Sequence, residues 1–153
     1  MDIKEVEIFT DGACRGNPGP GGYGVILRCL GREKELSQGF GSTTNNRMEL
    51  LAALTGLAAL NERCCVTLYS DSQYLVNGIE KGWAKKWRAN NWIKSDKKPA
   101  LNVDLWGEIL RLVELHEVRF VWVRGHDGHP ENERCDQLAV EAALKATGAD
   151  TVG

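Results

Sequence analysis

A chain of 153 residues, 42% of them hydrophobic, has the size for one core and shows no compositional break that asks for two. Its opening stretch, MDIKEVEIF, carries a charge every second or third residue, which excludes a secretory leader or membrane span there and sets the expectation of a cytoplasmic protein. The net charge of −2 hides an asymmetry, because residues 81–98 (KGWAKKWRANNWIKSDKK) hold seven Lys/Arg against one acid and three of the five tryptophans.

In chain order, residues 3–10 alternate, with Val6, Ile8 and Thr10 on one face and Glu5, Glu7 and Phe9 on the other, which is strand period. The strand is expected to end there, leaving Asp11 just beyond it at the head of a glycine- and proline-rich bend, GACRGNPGPGG. That bend resembles a phosphate loop only superficially, since a strand rather than a helix follows; its ordinary role is a wide hairpin turn. Residues 22–30 and 33–41, joined at Gly31-Arg32, complete a three-stranded antiparallel meander. NRMELLAALTGLAAL, residues 46–60, is apolar on nearly every face and reads as a largely buried helix.

A short strand (66–70), a helix-like stretch (72–82) and the basic Trp segment come next. That segment suits a polyanion carrying flat groups, or equally a solvated helix whose tryptophans face the core. A helix near 102–115, a strand at 118–123, the polar loop RGHDGHPEN and a final helix through about Ala146 follow. The expected division is a single domain over 1–147 and a frayed tail over 148–153. Strands first, then strand and helix in alternation, make an α/β protein with a mixed sheet covered by helices. The crossover from the first strand through the buried helix to the strand at 66–70 sets those two strands parallel, with their carboxyl ends at one edge.

Asp11 and Asp71 are each expected one residue past such an end, where ligands gather in sheets of this kind. Side by side they repel unless a cation sits between them. Each has a simpler reading: Asp11 in an Asx turn, Asp71 as the cap of the following helix. For Glu49 a capping box with Asn46 competes with a role at the shared edge. Asp136 shares a helical stripe with Ala139, Val140 and Ala143, which turns its charge toward the protein, whereas Glu131 and Glu133 are accounted for by the helix dipole. Such an oxygen-only set selects a hard divalent cation, Mg²⁺ foremost. His126-x-x-His129 with Cys135 suggests part of a zinc site but lacks a fourth ligand of the usual kind, and His126, between glycine-bearing turns, fits a proton carrier better. The five cysteines are an odd number with no C-x-x-C pair, so reduced thiols are expected.

Taken together and in this order, FTDGACRGNPGPGGYG, TTNNRMELLAAL, SDSQYL, DKKP with NVDLW, and RGHDGHPENERCDQLA resemble the bacterial type 1 ribonucleases H over almost the entire chain. The resemblance implies the ribonuclease H-like fold, a five-stranded mixed sheet of three antiparallel and two parallel strands with helices on both faces. It implies a monomeric endonuclease that hydrolyses the RNA strand of RNA–DNA hybrids with two metal ions, leaving 5′-phosphate and 3′-hydroxyl ends. Asp11, Glu49, Asp71 and Asp136 would hold Mg²⁺, with Mn²⁺ as a substitute, and His126 would assist proton movement or product release. Cys14, Asn17, Asn45, Asn46 and Gln73 match positions facing the RNA strand, whose 2′-hydroxyl is what such groups recognise. Trp83, Lys85, Lys86, Trp87, Arg88 and Lys94 match a basic protrusion that handles the DNA strand, and Thr44 a DNA-phosphate contact. Two departures stand out: ANN in the basic segment, itself one residue longer than in close relatives, implies weaker hybrid binding, and Asp127 places an acid beside His126, favouring the imidazolium. The alternatives are a silent hybrid-binding module, against which the four acids stand, and a DNA-directed nuclease or integrase of the same fold, against which the Asn/Gln set and the basic segment stand.

Overall fold

A computed structural model describes residues 3–125, 128–146, 148 and 150. Its strands are β1 (Lys4–Cys14), β2 (Gly19–Cys29), β3 (Arg32–Thr43), β4 (Cys64–Ser70) and β5 (Glu117–Trp122). Its helices are α1 (Asn45–Ala58), α2 (Gln73–Glu80), α3 (Trp83–Ala89), α4 (Val103–Leu115) and α5 (Pro130–Leu144). The strands form one sheet in the order β3-β2-β1-β4-β5, antiparallel on the β3 side and parallel from β1 through β5. This is the expected mixed sheet.

Alternation along the strands divides the core between two faces. Val6, Ile8, Val25 and Leu27 face α1 and α4 in the main cluster, built around the fully buried Trp106. Phe9 and Ile26 point the other way and meet Cys135 of α5. Helices therefore cover both faces. The outer strand β5 is also blunted: its Phe120 N–H donates to Glu80 Oε2 at 3.0 Å, which removes a free edge donor.

Three expectations need correction, and each moves a residue of interest. β1 does not stop at Thr10 but runs on to Cys14, because β2 starts early enough to pair with it from Cys14↔Gly21 through Asp11↔Gly24 to Glu7↔Arg28. Most of the glycine run is thus strand, and only Arg15 to Pro18 turns, closed by Arg15 N–H to the Pro20 carbonyl at 2.7 Å. The glycines admit α5 instead: a Cβ on Gly22 would stand 2.5 Å from the Ala139 carbonyl oxygen. What ends near Asp11 is the parallel ladder, whose last pair is Phe9↔Tyr69, so Asp11 and Asp71 each lie two residues past it.

Second, α1 is capped by Thr44, whose hydroxyl accepts from Arg47 N–H at 3.2 Å. Glu49 then falls in the second turn, out of reach of a capping box, and is buried. Third, Ser72 rather than Asp71 caps α2, accepting from Leu75 N–H at 3.1 Å. Ser72→Ala is expected to lower stability by about 1 kcal/mol, read from the denaturant midpoint at unchanged slope. In the stretch expected to fray, Gly148 and Asp150 hydrogen-bond to β3.

Candidate functional site

Asp11 from β1, Glu49 from α1 and Asp71 from the end of β4 converge, each offering one carboxylate oxygen within 4.8 Å of the others. Backbone and hydroxyl donors hold them in place. The Gly12 N–H donates to Glu49 Oε1 at 2.7 Å and to Asp11 Oδ1 at 3.0 Å. Ser70 Oγ donates to Glu49 Oε2 at 3.4 Å and itself accepts from Ser72 N–H at 3.0 Å. Gly12 lets α1 sit this close, since a Cβ there would be 2.8 Å from Glu49 N and from Met48 C.

Burial and mutual repulsion disfavour the ionised forms. The Asp11 carboxyl is pushed far above the usual carboxylate range, first by desolvation and then by the charges of Glu49, Asp71 and Asp136. Glu49 is raised too, by desolvation and then by Asp71, against the opposing pull of the Gly12 amide. Asp11 and Glu49 lie close enough that the protonation of each is linked to that of the other. A divalent cation supplies positive charge that three carboxylate oxygens can share; the donor set is all oxygen, which fits a hard cation and makes this an acidic metal-binding site.

Asp136 stands outside the tight trio. It is half-buried on α5, lines the same cleft and adds its charge to that felt by Asp11. The stripe expected to bury it is shifted: Cys135, Leu138, Ala139 and Ala143 face inward, while Val140 is 37% exposed. Cys135 donates to the Phe9 carbonyl at 3.3 Å beneath α5, so it is turned away from any metal shared with His129. His126 and Asp127 lie outside the described residues.

Three of the remaining candidates rim the cleft. Asn45, Asn46 and Gln73 line it beside Asp11, Glu49 and Asp71 and are exposed. Asn17 Oδ1 accepts the Asn45 N–H at 3.1 Å, tying the β1–β2 bend to α1. The Cys14 thiol is engaged within the bend, donating to the Gly16 carbonyl at 3.0 Å. Thr44 is committed to its cap.

The basic segment combines both of its readings. Trp87 and Trp92 pack on the core, Trp87 edge-on to Trp106 at 6.1 Å between ring centres. Trp83 is exposed with Lys81 over its ring, and Lys85 and Lys86 are exposed beside it. Arg88 is held by a two-pronged bond to Glu114 at 3.1 and 3.0 Å, and Lys94 is half-buried, 4.0 Å from Asp96.

Supporting residues escaped the sequence reading. Trp122 Nε1 donates to the Asp71 carbonyl at 3.1 Å, and Asn132 Nδ2 donates to the Thr10 carbonyl at 3.4 Å. Neither spacing nor residue type marked them, because each contact crosses between elements more than 50 residues apart. A larger groove of about 910 Å³, lined by Lys4, Cys29, Leu30 and Cys64 among others, lies at the opposite end of the sheet and contains no acid of the trio.

Comparison with known proteins agrees with this geometry. A family model described as RNase H matches residues 3–144. A ribonuclease H of Desulforamulus reducens is 66% identical over 142 residues, covering 93% of this chain and 89% of that protein. One from Nitratidesulfovibrio vulgaris is 58% identical over 99% of this chain and 97% of its own. Among solved structures, LC9-RNase H1, a type 1 RNase H with the type 2 active-site motif, superposes with a TM-score of 0.83 at 32% identity, covering 96% of this chain and 75% of that one. LC11-RNase H1, solved in complex with an RNA/DNA hybrid, gives 0.68 at 27% identity, covering 92% and 97%.

Proposed function

This chain belongs to the ribonuclease H family, and from that premise we propose that it is an Mg²⁺-dependent endonuclease whose cleft, built on Asp11, Glu49, Asp71 and Asp136, cuts the RNA strand of RNA–DNA hybrids. The observation that carries the reading is the meeting of three carboxylates from three separate stretches of chain, two of them buried where ionisation is costly without a cation. Two Mg²⁺ ions, with Mn²⁺ as a substitute, would supply the charge that activates water and steadies the leaving 3′ oxygen, giving 5′-phosphate and 3′-hydroxyl ends.

The chain's own residues orient the rest. Gly12 and Ser70 fix the carboxylates before substrate arrives, so no reorganisation is needed in the transition state. Asn45, Asn46 and Gln73, short polar groups on helix starts, reach toward the RNA sugars and their 2′-hydroxyls, with Asn17 and Cys14 bracing the adjoining bend. His126 moves a proton or helps product leave. The DNA strand lies along α3, where Trp83 offers a sugar-packing face and Lys85, Lys86 and Lys94 offer cations; Thr44, ahead of α1, adds a phosphate contact. Trp87 and Arg88 act mainly by holding α3 against α4. We place the enzyme in the cytoplasm as a monomer; among the described residues, no helix is long and apolar enough to cross a membrane.

The deciding experiment incubates the protein and Mg²⁺ with labelled hybrid, duplex DNA and duplex RNA. Cutting confined to the RNA strand of the hybrid is expected; equal cutting of all three defeats the substrate assignment. Changing Lys85 and Lys86 together to alanine is expected to raise KM and reduce the salt slope of binding by about two, roughly one per lost phosphate contact. Arg88→Ala should move the slope less, because Glu114 already occupies its guanidinium. A larger change for Arg88→Ala than for the lysine pair would reverse that ranking.

A further inference from the structure

We infer that Asp150 is a positioning residue for the substrate side of the cleft: it clips the end of β3 to the first turn of α1 through Arg47, setting the angle at which Asn45 and Asn46 face Asp11. The inference rests on the ribonuclease H reading.

Two residues beyond α5, Gly148 and Asp150, meet the end of β3. The Gly148 carbonyl accepts from the Gly41 N–H, and the Asp150 N–H donates to the Ser42 carbonyl at 3.0 Å. One oxygen of the Asp150 carboxylate, Oδ2, then takes two donors, Thr43 Oγ1 at 3.0 Å and Arg47 Nε at 2.7 Å. Thr43 is the last residue of β3 and Arg47 the third of α1. The three residues between them are the cap Thr44 and the two asparagines that line the cleft. A single carboxylate thus spans the bend that presents the asparagines.

Arg47 is contested from the other side. Its Nη2 and Nη1 reach Asp104 at 2.9 and 3.3 Å, and Nη1 also reaches Asn102 Oδ1 at 3.0 Å, both at the start of α4. Asn102 Nδ2 donates in turn to the Tyr74 hydroxyl at 3.2 Å, which also accepts from Trp106 Nε1 at 2.9 Å, and Tyr74 lines the cleft beside Gln73. One guanidinium therefore joins β3, α1, α4 and α2 beneath the recognition rim. The two acids that hold it are unequal: the Asp150 side chain is 8% exposed and that of Asp104 is 41%. Water and salt screen the outer pair and substitute for it when it is lost, whereas the inner pair has no such replacement. Without Asp150 the first turn of α1 is drawn from the α4 side alone.

Steady-state cleavage of an RNA–DNA hybrid with Mg²⁺ tests this with Asp150→Ala, Asp150→Asn, Asp150→Glu and Asp104→Asn, each checked by circular dichroism at the assay temperature. Asp150→Ala is expected to raise KM about five- to twentyfold while kcat stays within about twofold, with Asp150→Glu recovering part of the loss. Asp104→Asn is expected to leave KM within about twofold, as for a screened surface pair. If the alanine variant does not fold, Asp150→Asn, which keeps the volume, carries the test. A folded Asp150 variant whose melting temperature falls while KM is unchanged reduces the clip to a structural tie and overturns the inference, as does an equal KM rise for Asp104→Asn. Absence of hybrid cleavage by the parent protein would instead remove the ribonuclease H reading.

Discussion

Asp11→Asn is expected to lower kcat on a hybrid by about three orders of magnitude or more, because it removes both a cation-holding charge and the charge pattern on which transition-state stabilisation depends. The same change is expected to make the metal-free protein more stable. Asp11 and Glu49 have carboxyl groups raised above their unfolded values by burial and by one another. The folded state then binds more protons than the unfolded one at every pH between the unfolded carboxylate value and the raised folded values, so stability falls as pH climbs through that window. Below it both states are protonated and the penalty vanishes. An amide at position 11 carries no such penalty, so the gain should be about 1 kcal/mol or more at pH 8 in chelator and should shrink toward zero near pH 4. Divalent cation should raise the melting temperature of the parent protein and leave the variant nearly unmoved. Near-normal turnover by Asp11→Asn would remove the metal assignment; a variant less stable than the parent at pH 8 would show that the cluster is not strained.

Gly24→Ala carries the second large effect, and it arises from packing rather than charge. Gly24 pairs with Asp11 across the β1–β2 ladder, and α5 lies directly on it: a Cβ there would stand 2.3 Å from the Cys135 carbonyl oxygen and 2.7 Å from Leu138 Cβ. Backbone cannot yield as a side-chain tip can, so α5 must lift. The expected cost is about 3 kcal/mol of stability, the upper end for overpacking. Because α5 also carries Asp136, the folded fraction should show reduced kcat as well, measured at a temperature well below the lowered melting point. Gly107→Ala in the middle of α4 provides the contrast, since the nearest atom a Cβ would meet is Trp92 Cζ2 at 3.9 Å. There the better helix former should raise stability by about 0.5–1 kcal/mol. Equal effects from the two glycines would mean that helix–sheet approach does not limit position 24.

Much of this architecture was legible in residue order alone. Strand alternation in Val6, Ile8 and Thr10, the turn at Gly31-Arg32 and the apolar run after Asn46 are local signals, and local signals survive without knowing the fold. The parallel crossover then places Asp11 and Asp71 at one sheet edge, and several acids gathered at that edge point to a cation. The type 1 ribonuclease H motifs are long enough to identify the family by themselves.

Contacts between distant elements decided the rest. The glycines after Asp11 resemble a turn until α5 is laid across them, because a glycine chosen for close approach and one chosen for backbone freedom are the same letter. Glu49 resembles a capping residue until Thr44 is found capping α1, and Asp150 resembles an idle terminal acid until it is seen on Arg47. Trp87 and Trp83 sit four residues apart in one basic stretch, yet one packs on Trp106 and the other faces solvent. Composition and period state what each segment prefers alone. Which carboxylate is buried, which hydroxyl is already engaged and which ring remains exposed depend on what the fold sets against it, and only the assembled tertiary structure carries that information.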